Sequence, residues 1–243
     1  MASILGIGNA LTDILAVLPD DKFLKEFHLP KGSMQHVDME TGDKIWKILK
    51  PMGVQLVAGG SAANAITGTA IFGMESGFIG KVGDDDLGHL FKSDQEQYGI
   101  KSMLLKGVNS SGRAMVFITA PNAERTFAVY LGAALELVPE DLKPEYFEGY
   151  DYFHIEGYLV QNQSTIRRAV ELGADESKVE GLFFQRALPQ KAYRAVFFMQ
   201  DAVAFAQFQL SGGGNAEVLH VGAFVFAERH FSRLGDVQTA EFF

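Results

Sequence analysis

Across the first 173 residues, short apolar runs that read as strands alternate with segments of helical pattern. This alternation restricts the fold more than any other feature. Ser3 to Ile7 reads as a buried strand entering a tight turn at Gly6-Ile7-Gly8-Asn9, and a strand pattern resumes over Ile14 to Leu18. Asp38 to Leu49 has an acidic start and apolar Ile45, Trp46, Ile48 and Leu49, as a helix would. Further helices are predicted over Ser61 to Phe72, over Asp86 to Tyr98 with Gly99 closing it, from Pro139-Glu140-Asp141, and over Ser164 to Leu172. Strands are predicted over Ser76 to Gly80, Ser102 to Leu105 and Tyr152 to Ile155, and Arg113 to Thr119 with Arg125 to Leu131 reads as a hairpin. Strands that alternate with helices imply an α/β fold, a mostly parallel sheet flanked by helices, and the hairpin adds a small β element.

Bulk properties narrow the partner. A net charge of −9 and a pI near 5.1 argue against a general nucleic-acid binder, because phosphate backbones are gripped by clustered Lys and Arg. A small-molecule partner is expected instead. No apolar run approaches the ~20 residues of a membrane span, and no basic segment precedes the short apolar run of the N-terminus, so neither a membrane partner nor a signal peptide is expected. With no cysteine there is no disulfide or thiolate metal site, and a cytoplasmic location is the default. The six histidines form no HExxH and no close pair, so no metal ligand is assigned.

The stretch AGGSAANAITG, Ala58 to Gly68, places two glycines and a serine before a run of small helix formers. It reads as a turn feeding a helix with Ser61 as N-cap and Asn64 one turn inside. An amide that both donates and accepts suits a neutral polyol better than an anion; the alternative is a helix packed closely on a sheet through small residues. Other phosphate signatures fail. GxGxxG would need a glycine at position 11, which is Leu11, and neither GxxxxGK[ST] nor GxSxG occurs.

Together, Gly8-Asn9-Ala10-Leu11-Thr12-Asp13 after the first strand, AGGSAAN at a helix start, and Gly80-Lys81-Val82-Gly83-Asp84-Asp85-Asp86-Leu87-Gly88 after the next strand resemble the ribokinase, or PfkB, family of carbohydrate and nucleoside kinases. The start is most similar to the adenosine-kinase-like and sugar-kinase branches, and the resemblance covers residues 3 to about 172. It implies a ribokinase-like fold with a β lid, ATP and Mg2+ as cofactors, and phosphorylation of a hydroxymethyl group on a sugar or nucleoside. It also implies that Asn9, Asp13 and Asn64 hydrogen-bond substrate hydroxyls while Gly60 allows the ligand to approach closely. Glu124-Arg125-Thr126 and His154-Ile155-Glu156-Gly157-Tyr158 look like landmarks near the lid and at a strand end. Gln35, His36 and Arg125 are candidates on the lid, where a homodimer could also form. Each has a plainer reading. Asp13 could be a turn aspartate bonding its own backbone, Gln35 and His36 could face solvent, and Arg125 could pair with Glu124. Asp84, Asp85 and Asp86 fit a solvated helix start, with Asp84 as an alternative border of the sugar pocket.

The texture changes near residue 173. Residues 1–173 hold 12 isoleucines and 9 phenylalanines, whereas residues 174–243 hold no isoleucine and 11 phenylalanines. The run from Val196 to Phe208 is apolar without a clean period, and Ser211 to Asn215 follows like a flexible break. The resemblance also stops here. Kinases of this family transfer phosphate with a late DTxGAGD motif, whose glycine N–H groups form an anion hole and whose aspartate takes the hydroxyl proton. The sequence contains no DTxGAGD. Gly212-Gly213-Gly214-Asn215 lacks the aspartate, Leu234-Gly235-Asp236 lacks the preceding glycine and alanine, and no asparagine from Asn162 onward starts an NxxE. No catalytic residue is therefore assigned. The expectation is a substrate-side part, residues 1–173, followed by an atypical or frameshifted segment, residues 174–243, that leaves the family's sheet incomplete and the kinase inactive. The alternative is a non-catalytic sugar- or nucleoside-binding module, and a third reading is an α/β domain that assembles through its lid.

Overall fold

The computed structural model describes residues 2–119 and 122–175 and, as backbone, strands between residues 181 and 231. In chain order the elements are β1 (Ser3–Ile7), β2 (Leu11–Leu18), α1 (Lys22–Glu26), β3 (Met34–His36), α2 (Met39–Leu49), β4 (Gln55–Gly59), α3 (Ser61–Ile71), β5 (Glu75–Val82), α4 (Asp86–Gln97), β6 (Lys101–Lys106), β7 (Gly112–Thr119), β8 (Glu124–Tyr130), β9 (Tyr152–Glu156), α5 (Gln163–Asp175), β10 (Gly181–Arg186), β11 (Ala192–Met199), β12 (Ala202–Leu210) and β13 (Ala216–Phe224).

The main sheet has the order β13-β12-β11-β10-β9-β1-β5-β6. From β10 to β6 every pairing is parallel. Parallel strands need cover on both faces, and the side chains alternate accordingly. Ile4 and Phe78 pack with Ala62, Ala63 and Ile66 of α3 and Phe91 of α4. Leu5, Ile7, Ile79, Phe153 and Ile155 pack on the other face with Ala169 and Leu172 of α5 and with Leu142 and Phe147 from the 3₁₀ turns between β8 and β9. The expected α/β architecture is therefore the observed one.

A second sheet, of order β3-β8-β7-β2-β4, is the lid. One face rests on α1, α2 and the start of α4, where Ile14, Leu24, Ile45, Leu49, Leu87, Met115 and Phe117 form a core. Thr12 Oγ1 donates to the Leu87 carbonyl at 3.1 Å, and buried Arg113 pairs with Asp43 of α2 while lying 4.9 Å over the Tyr130 ring. These contacts hold the lid to the body. Its other face looks onto a cavity.

Several expectations are corrected. The second strand begins at Leu11, three residues before the expected start, so Asp13 is a strand residue rather than a turn aspartate. Pro139–Asp141 is a 3₁₀ turn; Asp141 Oδ2 accepts from the Val138 N–H and from Lys81 Nζ, which ends the helix its acidic start suggested. Helix α3 starts at Ser61, with Gly60 as the cap. Beyond α5, β10 pairs parallel with β9, and β11 to β13 follow antiparallel. The links at 187–191, 200–201 and 211–215 are too short for a parallel crossover, so the mode of extension changes from β-α units to hairpins. Gly212 to Gly214, Asn215 and Leu234 to Asp236 lie outside the described residues.

Phe78 is fully buried, with its ring centroid 5.8 Å from that of Phe91. Phe78→Ala should cost about 3–5 kcal/mol, read as a lowered urea midpoint with unchanged slope.

Candidate functional site

A cavity of about 230 Å3 opens between the ends of β1 and β9, the start of α3 and the lid face. Its floor is organised by Glu156, the last residue of β9, which is 1% exposed. The Asn9 N–H donates to Glu156 Oε1, Ser61 Oγ donates to Oε2 at 2.6 Å, and the Ala62 N–H donates to Oε2 at 3.3 Å. One carboxylate thus ties β1, α3 and β9 together and occupies the helix start, where N–H groups lack intrahelical partners. Burial raises the Glu156 carboxyl above the usual glutamate range, and these donors pull the other way.

Asp13 stands on the cavity face of β2. A Cβ at Gly59 would overlap its carboxylate, so glycine at 59 makes the room in which that group lies. Among the described residues none donates a hydrogen bond to it. Burial without a donor pushes its pKa up to about 6. Gly60 has φ +91, a left-handed conformation that favours glycine, and a Cβ there would strike the Asn9 carbonyl. Its carbonyl accepts from the Asn64 N–H at 2.9 Å, and the Asn64 side chain projects, exposed, at the cavity.

The structure brings Asn9, Asp13, His36, Gly60 and Asn64 to one cavity. Gln35 points away from it and donates to Ser33 Oγ at 3.2 Å. Arg125 lies further along β8, its guanidinium 6.0 Å over the Phe127 ring and not on Glu124. Asp84 is removed from the cavity, held by Lys106 at 2.6 Å and His89 at 3.4 Å, while Asp85 caps α4 by accepting from the Gly88 N–H. Sequence reasoning placed Glu156 and Tyr158 only in a strand-end landmark and Ser61 only as a cap, and it gave no role to the apolar wall of Leu11, Ala114, Phe127, Val129 and Leu131. A lone acid ending the apolar run Tyr152 to Ile155 was the available sign of Glu156. Ser61 was read as a cap, but its hydroxyl serves the carboxylate instead.

Among the described residues that line the cavity there is no Lys or Arg, and there are two carboxylates and two amides. Such a set repels an anion and offers acceptors and donors to a neutral polyol.

The profile of the pfkB family carbohydrate kinases matches residues 38–203. The chain is 37% identical over 101 residues to a fructokinase of Klebsiella pneumoniae, covering 40% of this chain and 32% of that protein. It is 29% identical over 167 residues to the adenosine kinase of Saccharomyces cerevisiae, covering 65% of this chain and 48% of that one. It thus spans half or less of the length of these relatives. Among solved structures, a probable sugar kinase from Rhizobium etli superposes with a TM-score of 0.65 at 27% identity, covering 76% of this chain and 55% of that one.

Two outcomes test the site. Glu156→Ala strands three donors and should destabilise the fold by about 3 kcal/mol in chemical denaturation. The second concerns pH. Because the folded pKa of Asp13 is raised above its unfolded value, the native state loses stability as pH rises from about 4 through about 6. Asp13→Asn should therefore stabilise the protein at pH 7.5 by about 2 kcal/mol, after allowance for the solvent that reaches the carboxyl, with the gain vanishing below pH 4.

Proposed function

The chain belongs to the pfkB family of carbohydrate kinases, and on that footing we propose that its cavity holds the hydroxylated acceptor of a sugar or nucleoside kinase. The observation that carries this reading is the wall of Asn9, Asp13, Gly60 and Asn64, with no Lys or Arg among the described residues beside it. Asp13 accepts from vicinal hydroxyls, Asn9 and Asn64 complete the set, and the absent Cβ of Gly60 lets a sugar lie against the backbone. His36 reaches the acceptor from the lid, whereas Gln35 and Arg125 stand off the cavity.

Kinases of this family use ATP. In the chain as written, acceptor binding outlasts phosphoryl transfer; the alternative is a non-catalytic sugar- or nucleoside-binding module. Its sequence lacks the late aspartate and glycine anion hole, and the described residues do not fit a magnesium–triphosphate group. Glu156 occupies the start of α3 and Asp85 that of α4, so an incoming phosphate would meet a carboxylate at either helix. No cluster of three His, Cys, Asp or Glu suited to a metal occurs among the described residues. The composition break at 173 supports a frameshifted reading within residues 174–243, although the family match itself runs on to residue 203. A homodimer through the lid is supported by exposed Val17 and Met34 on its open face. A cytoplasmic place accords with the lack of cysteine, and no helix among the described residues is long and apolar enough to cross a membrane.

Calorimetry with ribose, fructose and adenosine tests the acceptor site. Asp13→Ala should weaken binding about tenfold or more, since hydrogen bonds to a charged group are worth about 1.5–3 kcal/mol. Equal affinity in parent and variant would refute it. Acceptor-dependent ATP consumption should stay far below the ~1 s⁻¹ of slow kinases; turnover near that rate, abolished by Asp13→Ala, would refute the loss of transfer.

A further inference from the structure

On the cavity face of the lid, four residues of four adjacent strands fall in one row. Asp13 of β2 is in register with Ala114 of β7, Ala114 with Val129 of β8, and Val129 with His36 of β3. All four line the cavity. The row is polar at its ends and apolar between them. Three strand spacings of ~4.8 Å put Asp13 and His36 roughly 14 Å apart along the sheet.

The hydrogen-bonding groups are not spread evenly over this length. Asn9, Gly60 and Asn64 gather on the β2 side, where β4 leads into α3. On the far side stand Phe127 and Leu131, each two residues from Val129 along the chain, with His36 on the edge strand. A monosaccharide held by its hydroxyls at Asp13 leaves Ala114, Val129 and His36 uncovered. The small Ala114 keeps the middle of the row shallow, and Phe127 and Leu131 bound it with apolar walls. That shape suits a flat, weakly polar ring attached to the sugar, buried by its faces and open to hydrogen bonding at its edge. The His36 imidazole makes no hydrogen bond with another described residue, so it is available to that edge.

We infer that the acceptor is a nucleoside rather than a free monosaccharide, with its ribose at Asp13 and its heteroaromatic base along Ala114 and Val129 toward His36. This rests on the reading of the cavity as the acceptor site. His36 is then the residue that distinguishes one base from another, because an imidazole can both donate to and accept from ring nitrogens and exocyclic groups.

Calorimetry on the full chain, with adenosine, ribose and fructose as probes, separates the two levels of the argument. Adenosine should bind at least about tenfold tighter than ribose or fructose. Ala114→Phe fills the middle of the row and should abolish that preference. His36→Leu, at an exposed position, should reduce the adenosine-to-ribose affinity ratio about five- to tenfold even if the Ala114 variant does not fold. Ribose or fructose bound as tightly as adenosine, and still weakened by Asp13→Ala, would overturn the nucleoside assignment while leaving a sugar site. Binding of all three unaffected by Asp13→Ala, or no binding of any, would overturn the acceptor site itself and the nucleoside with it.

Discussion

The Glu156 carboxylate is the point through which the rest of the site is built. Its donors come from residues 9, 61 and 62, which belong to a strand end and a helix start far apart in sequence from β9. Those segments meet only where the parallel strands β1 and β9 lie side by side. Placing a carboxylate there is unfavourable in itself, as its raised pKa records, and it is tolerated because three donors converge on it. The same contacts fix where Asn9, Gly60 and Asn64 stand. A loosened Glu156 would therefore blur the polar wall before it disturbed the apolar one.

The body of the fold was legible because its elements obey their periods. Ser3 to Ile7 and Tyr152 to Ile155 are short, largely apolar runs buried on both faces except at half-buried Tyr152, as parallel strands are, and Asp38 to Leu49 carries its apolar stripe on one side. Asn9, Asp13, Gly60 and Asn64 could be singled out because the motifs that hold them resemble those of the family, and the resemblance supplies their roles. The register across the lid was not legible. Which residue of β3 faces Val129 depends on a parallel pairing between strands separated by most of the lid, and no local pattern encodes it. The later strands were obscure for a different reason. A run such as Val196 to Met199 shows no alternation, and absence of alternation is equally the mark of a strand covered on both sides and of no regular structure.

Asp13 shows why such a site is detectable at all. A carboxyl with no donor among the described residues, pressed over Gly59 in a partly closed cavity, lowers the stability of the free protein at neutral pH. A chain selected only to fold would replace it with an amide or an aliphatic residue. Its environment becomes favourable when hydroxyl groups arrive to donate to it, and the free energy withheld from folding then appears as binding. Glu156 offers the contrast. Also a carboxylate and more deeply buried, it is furnished with donors by the protein itself, so it positions the site without needing a ligand. Of two neighbouring carboxylates, the unsatisfied one is where the proposed hydroxylated ligand would dock, and the satisfied one holds that place open.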